Sequence, residues 1–439
     1  MTTPAPGPVR PAATARPQDA RRSLVAGSVG NFIEWYEFGI YGYFATVIAA
    51  QFFTPEGGSE VEGLVRAYAS FALAFFFRPV GAAVLGRFGD RVGRRPALVL
   101  VVCLMTGATA MIGLLPTYAS IGAAAPWLLT LLRILQGLSA GGEFGGAVSV
   151  MTESAPSGRR GLYGAWQSFT VALGLLAGAA VAVVLASVLT PSQLHGWGWR
   201  VPFLLTLPLG LVALRLRLRL PPDAPPALAP EGRPCPRPRP RSGETVRALV
   251  LGVGRMMGWS AAGYTFLVVL PSYLQSTLGT TFQRALLGTV LANLGFAASI
   301  LPAGRLSDRI GRRTVMVAGA LLVAVLALPL LHLVQDPDGP AYVKGAALFA
   351  AGACVGLMAG PGPAMLAEMF PARVRCTGLG LAYALSNAVF SGCAGLIITE
   401  VVERTGNVDV PGYYAAATCA VSAVALLTLR GDDHRRALR

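Results

Sequence analysis

Gly86-Arg87-Phe88-Gly89-Asp90-Arg91-Val92-Gly93-Arg94-Arg95 returns 218 residues later as Gly304-Arg305-Leu306-Ser307-Asp308-Arg309-Ile310-Gly311-Arg312-Arg313. Each copy is a short charged turn between two long apolar runs, so each sits in water, on one membrane face, between two buried helices. A second echo has nearly the same spacing: Glu153-Ser154-Ala155-Pro156 followed by Arg160 matches Glu368-Met369-Phe370-Pro371 followed by Arg375, at an offset of 215 residues. Two echoes in the same order imply a chain built twice, with structurally parallel halves.

Composition sets the solvent. With 54% hydrophobic and 13% charged residues and a mean hydropathy of +0.58 over 439 residues, this is a polytopic membrane protein. The net charge of +15 would suit nucleic acid if it clustered on one soluble face. The basic residues instead lie in short loops at every second gap between apolar runs, a positive-inside bias, and no nucleic-acid partner is expected. All of them are Arg except Lys344, which with the Ala, Gly and Pro content points to a GC-rich bacterial genome. Cys103, Cys235, Cys354, Cys376, Cys393 and Cys419 show no paired spacing, and His195, His332 and His434 share no ligand spacing. No disulfide framework, metal site or cofactor is expected, and no nucleophile and base stand together as an enzyme would need.

Residues 1–22, rich in Pro, Ala, Thr and Arg, are expected to form a disordered tail. Arg21-Arg22 precedes an apolar run, but Glu34 and Glu37 in that run and the many later spans argue against a secretory signal. Spanning segments are expected at about 24–49, 64–86, 96–116, 126–150, 162–188 and 199–219, and again at about 249–276, 284–303, 314–334, 343–368, 378–402 and 412–429. The fold class is therefore all-α, with twelve transmembrane helices in two pseudo-symmetric six-helix bundles, 23–219 and 249–430. Between them, 220–248 interleaves nine prolines with Arg and reads as a stiff extended linker. Residues 431–439 form a second short tail. The Arg-rich loops share the side of both tails, while Glu56, Glu60, Glu62, Asp336, Asp338 and Asp409 lie opposite, so both termini are expected in the cytoplasm of a bacterial inner membrane.

A charge at mid-bilayer costs at least ~2.5 kcal/mol, so buried ionisable residues are candidates for function. In the first span Glu34, Glu37 and Tyr41 stand at i, i+3, i+7 and are expected to share a helical face. In the second, Arg78 lies twelve residues before Asp90, roughly 18 Å in from the loop, with Glu37 or Glu34 as partner. The fourth reads Arg133-Ile134-Leu135-Gln136-Gly137-Leu138-Ser139-Ala140-Gly141-Gly142-Glu143, a polar path in which Gln136 and Glu143 point the same way. The second half offers Arg255, with Trp259 and Tyr264 beyond it. The plainer alternative for the charged groups is a fixed ion pair that only sets helix packing.

At this point the residues carry a resemblance. Gly86 to Arg95 and its echo resemble the cytoplasmic signature of the major facilitator superfamily, and Arg133 to Gly137 its fourth-helix signature. More narrowly, Gly30-Asn31 with Glu34-Trp35-Tyr36-Glu37-Phe38, Arg78-Pro79, Gln136-Gly137 through Gly141-Gly142-Glu143, Trp197-Gly198-Trp199-Arg200 and Phe370-Pro371 with Arg373 and Arg375 resemble the metabolite:proton symporter family. The family usually has Asp where this chain has Glu37, one methylene shorter. Its osmosensing members carry a C-terminal coiled coil, and no heptads follow the last span here, so osmosensing is not expected.

The resemblance implies uptake of a small carboxylate or zwitterion driven by protons, through alternating access of the bundles, in a protein that is monomeric. Glu34, Glu37, Arg133 and Glu143 are then proton-coupling candidates; Tyr41, Arg78, Gln136, Arg255, Trp259 and Tyr264 are substrate-binding candidates. Gly86, Asp90, Arg91, Gly93, Arg94, Asp308, Arg309, Gly311 and Arg312 become the cytoplasmic gate, the turn's aspartate meeting a neighbouring helix N-terminus. Proton antiport out of the cell is the alternative, disfavoured because the fifth span contains no proline for the exporters' Gly-Pro motif. A uniporter of the same solutes is another, and a non-transporting sensor would need a signalling domain that is not evident.

Overall fold

The computed structural model describes residues 17–219 and 242–429, apart from 93, 142, 154, 157 and 372–374. Twelve helical rods run back and forth, and there is no strand among the described residues. The first half holds α1 (17–53), α2 (Glu60–Val92), α3 (Arg94–Leu114), α4 (124–153), α5 (Arg160–Val188) and α6 (191–218). The second holds α7 (242–276), α8 (Phe282–Ile310), α9 (Arg312–Gln335), α10 (341–369), α11 (375–405) and α12 (Val410–Leu427).

Among the described residues nine of these rods are long and apolar enough to cross a membrane by length and composition. The remaining three, α1, α4 and α7, are the ones that hold Glu34 and Glu37, Arg133, and Arg255. Interruptions are not confined to these three: π-helical turns occur in α1 at Ala49–Phe53, in α6 at Leu194–Gly198, in α7 at Thr265–Val269 and in α11 at Asn387–Gly392. Such irregular turns cluster at functional sites, because a protein-lined interior can satisfy the backbone where lipid cannot.

Three boundaries differ from expectation. The first helix begins at Pro17, inside the expected tail, where a proline at the first helical position sacrifices no hydrogen bond. Helix α7 begins at Ser242, within the expected linker; hydropathy marks only the buried part of a helix, and the backbone keeps its bonds as it emerges into water. The 126–150 run is described as Ala124–Ala140 and Glu143–Glu153, on either side of Gly141, which has helical dihedrals, and of residue 142, which is outside the described residues. The rest of the linker, the start of the expected tail and 431–439 lie outside the described residues.

Close helix approach repeats in the two halves. A Cβ at Gly137 would lie 1.9 Å from the Ala74 carbonyl oxygen, and one at Gly352 would lie 1.8 Å from that of Ala292. These pairs are related by the same offsets as the two sequence echoes, 218 for α2 to α8 and 215 for α4 to α10. The pseudo-symmetry is thus present in backbone contacts, where only glycine lets two helices touch.

The bundles meet along α1, α2, α4 and α5 on one side and α7, α8, α10 and α11 on the other. At the end remote from the Arg-rich turns, the Tyr68 hydroxyl bonds Ser272 Oγ, Thr46 Oγ1 donates to Gln275 Oε1 (3.1 Å), Asn293 Nδ2 donates to the Tyr43 hydroxyl (3.3 Å), and Phe44 packs on Phe282. At the basic end, Arg375 Nη1 donates to Glu153 Oε1 (2.6 Å) and Ser168 Oγ to the Ala359 carbonyl (2.7 Å). The bundles are thus tied together at both ends, with a centre between them.

A candidate solute and proton site between the bundles

Arg78 occupies that centre. Its residue is 3% exposed, and Nη2 lies 3.4 Å from Glu34 Oε1 on α1. The guanidinium sits over the rings of Phe38 (4.3 Å to the centroid), Phe75 (4.4 Å) and Trp35 (5.6 Å). A planar cation suits such a cage, because ring faces carry partial negative charge and the guanidinium sheds water more readily than an ammonium. A small cleft beside it is lined by Asn31, Glu34, Trp35, Gly141, Phe144 and Tyr383, among others. Both bundles contribute, Phe144 of α4 stacking on Tyr383 of α11 with centroids 3.5 Å apart.

One turn along α1, Glu37 is fully buried and faces α3. Thr109 Oγ1 lies 2.8 Å from Glu37 Oε2 and Thr106 Oγ1 3.3 Å from Oε1. The Thr109 hydroxyl has one proton and two acceptors in reach, Glu37 Oε2 and the Met105 carbonyl (2.9 Å), while it accepts from Gln136 Nε2 (2.6 Å). Gln136 Oε1 in turn accepts from Arg133 Nη1 (2.7 Å). A continuous chain therefore links the Glu37 carboxyl to the Arg133 guanidinium. Arg133 is also fully buried, over Tyr41 (4.1 Å), Phe71 (4.7 Å) and Phe38 (5.1 Å).

Several donors here are unspent. Among the described residues Nε of Arg78, Nε and Nη2 of Arg133 and the Tyr264 hydroxyl have no hydrogen-bond partner, and Arg78 Nη2 has only the 3.4 Å ion pair with Glu34. An unmade bond to a buried polar group costs about 1–3 kcal/mol, more for a charged one, which a fold tolerates where a ligand is to be gripped.

The placement of the expected site residues is uneven. Glu34, Tyr41, Arg78, Arg133, Gln136 and Tyr264 come together, but the expected shared face of α1 splits. Glu34 faces Arg78, and the Tyr41 hydroxyl reaches the Ala67 carbonyl (3.2 Å), both on α2, whereas Glu37 turns to α3. A step of three residues leaves about 60° between side chains, enough to address a different neighbour. Of the two partners open to Arg78, it is Glu34 that pairs. The expected alignment of Gln136 with Glu143 rests on the Glu143 side chain, which lies outside the described residues. Arg255 stands apart from the cleft: Nη2 bonds Thr428 Oγ1 (2.8 Å) and Nε the Ala425 carbonyl (3.4 Å), tying α7 to the end of α12. Trp259 packs on Tyr383 (6.1 Å) and against Gly362, inside the second bundle.

Sequence reasoning missed Thr106, Thr109, Phe75, Phe144 and Tyr383. An isolated threonine or aromatic in a span carries no signal, since either is ordinary helix filling, and only packing shows what it faces.

At the basic end it is the second copy of the turn whose contacts are described. Asp308 accepts from the backbone N–H of Gly161 (2.7 Å) and Leu162 (2.9 Å), the first turn of α5 in the opposite bundle. Arg312 bonds Asp308 (2.8 Å), Ser307 Oγ (2.7 Å) and Glu368 (3.2 Å). A carboxylate on a helix N-terminus is held by both dipole and donors. Arg91 and Arg309 are exposed. Gly311 and Arg312 are buried where α8 turns into α9. Nothing is described of the Asp90 and Arg94 side chains or of residue 93, and Gly86 lies within α2.

Comparison with known proteins agrees with this architecture. A family model described as sugar (and other) transporter matches residues 23–225, and one described as major facilitator superfamily matches 248–439. The chain is 37% identical to the alpha-ketoglutarate permease of Escherichia coli K12 (86% of this chain, 87% of that protein). It is 34% identical to the citrate-proton symporter of Klebsiella pneumoniae (96% and 97%), and 34% to the ectoine/proline transporter ProP of Corynebacterium glutamicum (95% and 86%). A crystal structure of D-xylose-proton symporter superposes with a TM-score of 0.72 at 19% identity, covering 92% of this chain and 97% of that one. The chain belongs to the major facilitator superfamily, among its metabolite:proton symporters. It is a bacterial inner-membrane protein and a secondary transporter of small organic molecules.

Proposed function

We propose that this protein carries a small organic carboxylate into the cell together with protons, the two bundles alternately opening either side of the Arg78–Glu34 pair. The observation that carries the reading is that pair itself, an ion pair buried at the junction of the bundles with unspent guanidinium donors. As pure packing it would be a poor choice, because a buried pair often stabilises no more than apolar residues of the same size. Where a solute and a proton must compete, it is apt. Protonation of Glu34 weakens its hold on Arg78, and a solute carboxylate takes its place.

Glu37 is the second proton carrier. When it is ionised the Thr109 hydroxyl donates to it; when it is protonated that hydroxyl turns to Met105 and accepts instead. Gln136 stays bonded in both states and holds Arg133 in place. Glu143, in the second part of α4, is a third candidate. Arg78, Arg133 and Tyr264 meet the solute. The concentration of Arg in loops at one end supports a cytoplasmic placing of that end and of both termini. The Asp308 and Glu153 contacts close the cytoplasmic side and the Tyr68, Thr46 and Asn293 contacts the outer one, so transport alternates between breaking one set and the other. The protein works as a monomer with the proton as its coupling ion. Names of relatives such as citrate-proton symporter and alpha-ketoglutarate permease support a carboxylate.

The test is reconstitution in liposomes with a pH dye outside. Adding a transported carboxylate should make the medium more alkaline, and protein-free liposomes should show nothing. Solute exchange without any proton movement would refute coupling and leave a uniporter.

A further inference from the structure

The cleft beside Arg78 takes its walls from α1, α2 and α4 of the first bundle and, among the described residues, from α11 alone of the second. That wall is one face of a helix, with Gly380, Tyr383 and Ala384 at i, i+3 and i+4. Glycine and alanine offer a solute no side-chain donor, so the Tyr383 phenol is the one hydrogen-bonding side chain that the second bundle brings to the cleft's walls. Tyr264 of α7 stands behind, against the Trp35 and Phe75 rings (6.2 and 5.4 Å).

The Tyr383 ring is held in one plane. Phe144 of α4 lies parallel to it, with 3.5 Å between centroids and 6° between planes, and Trp259 of α7 packs on it at 6.1 Å. The two backbones come close beside this stack, where a Cβ at Gly380 would lie 3.6 Å from Gly145 Cα. Both charges of the Arg78–Glu34 pair act on the Tyr383 hydroxyl, which places that end of the ring toward them. Asn387, one turn along α11, is engaged with the Tyr383 backbone carbonyl (2.9 Å) and with Ser391 Oγ (2.8 Å). A nearly face-to-face stack is the arrangement that ring quadrupoles favour least, so it orients the phenol without fastening the bundles together.

We infer that Tyr383 is a solute-binding residue of the second bundle, its hydroxyl donating to an oxygen of a solute held at Arg78, and that Phe144 is the residue that positions it. This rests on the reading of the cleft as the solute site and adds a residue to it. A solute touching only the first bundle makes the same contacts whichever way the second bundle lies, and a ligand shifts an equilibrium only by its differential affinity for the two states. The Tyr383 bond forms when the bundles close on the solute, so it supplies that difference. From α11 the pull passes to α7, because Ser391 Oγ donates to the Ser260 carbonyl (3.0 Å) and Ser386 Oγ meets Ser260 Oγ (3.1 Å).

The test uses the whole chain in proteoliposomes, offered labelled citrate, alpha-ketoglutarate and proline, with each solute that the wild type accumulates carried through. Tyr383→Phe keeps the ring and its stack and removes only the hydroxyl. The maximal uptake rate should fall about tenfold or more, the worth of one hydrogen bond to a charged group. The Kd read from thermal shifts in detergent should move less than threefold, because the solute first binds on the first bundle. Phe144→Leu should slow uptake as well, and Phe144→Tyr, which returns a ring to the stack, should restore it. A packing role alone would leave Tyr383→Phe at the wild-type rate, and that result would overturn the assignment. Arg78→Gln keeps the two layers apart. Uptake lost in Arg78→Gln but normal in Tyr383→Phe removes Tyr383 and leaves the cleft reading, whereas normal uptake in Arg78→Gln removes the cleft reading and Tyr383 with it.

Discussion

Arg78 and Phe296 hold the same position in the two bundles, each with its backbone carbonyl turned toward a glycine of the neighbouring helix, Gly141 and Gly356. The scaffold is duplicated but its polar contents are not: at the same offsets Arg133 is matched by Leu348 and Gln136 by Ala351. Substituting the second half's residue into the first therefore tests function against packing. Arg78→Phe should abolish uptake and lower the melting temperature, because Glu34 loses its partner. The double variant Arg78→Phe/Glu34→Leu should melt no lower than wild type, since apolar residues replace a buried pair at no cost or with a gain of about 1–4 kcal/mol, yet remain inactive. Uptake by the double variant would show that the pair is structural.

Helix contact through glycine makes a separate prediction for stability. Gly137→Ala drives a Cβ against the Ala74 carbonyl and should destabilise the protein by about 1–3 kcal/mol, whereas Gly107→Ala, with nothing within 4 Å, should be neutral. Thermal unfolding in detergent compares them.

Asp308→Ala removes acceptors from two backbone N–H groups and Arg312. Charged hydrogen bonds contribute about 1.5–3 kcal/mol each, so the basic end should open more often by tenfold or more. Spin labels at Arg159→Cys and Arg305→Cys, on opposite bundles, should report a longer distance population. Tyr68→Phe, which breaks the bond to Ser272, should shift the balance the opposite way.

Thr109→Val keeps the shape of the side chain and removes the hydroxyl between Glu37 and Gln136. Uptake should lose most of its rise with falling external pH, while solute affinity in melting assays changes less than threefold, a margin well below one hydrogen bond to a charge. Thr109→Ser should restore the pH profile. An unchanged profile in Thr109→Val would remove this residue from the proton path.

Much of this was legible in the sequence because it depends on solvent. The echoed turns, the Arg-rich loops and the costly charges at 34, 37, 78 and 133 follow from what a bilayer permits, and they located the halves and most of the centre. What was not legible depends on rotation and contact. A 60° difference decided that Glu34 and not Glu37 meets Arg78. Arg255, equally buried by pattern, proved to brace α7 on α12. Thr109 and Tyr383 acquire roles only through neighbours far away in the chain.

The most direct measurement is uphill accumulation against counterflow exchange in proteoliposomes bearing Glu37→Gln, with wild type alongside. A neutral amide can take no proton from the gradient but leaves both guanidinium groups intact. Accumulation should be lost at every external pH while exchange of labelled for unlabelled solute continues. Unchanged uphill uptake across the pH range would contradict the account, because the carboxyl at the heart of the buried chain would then carry no proton.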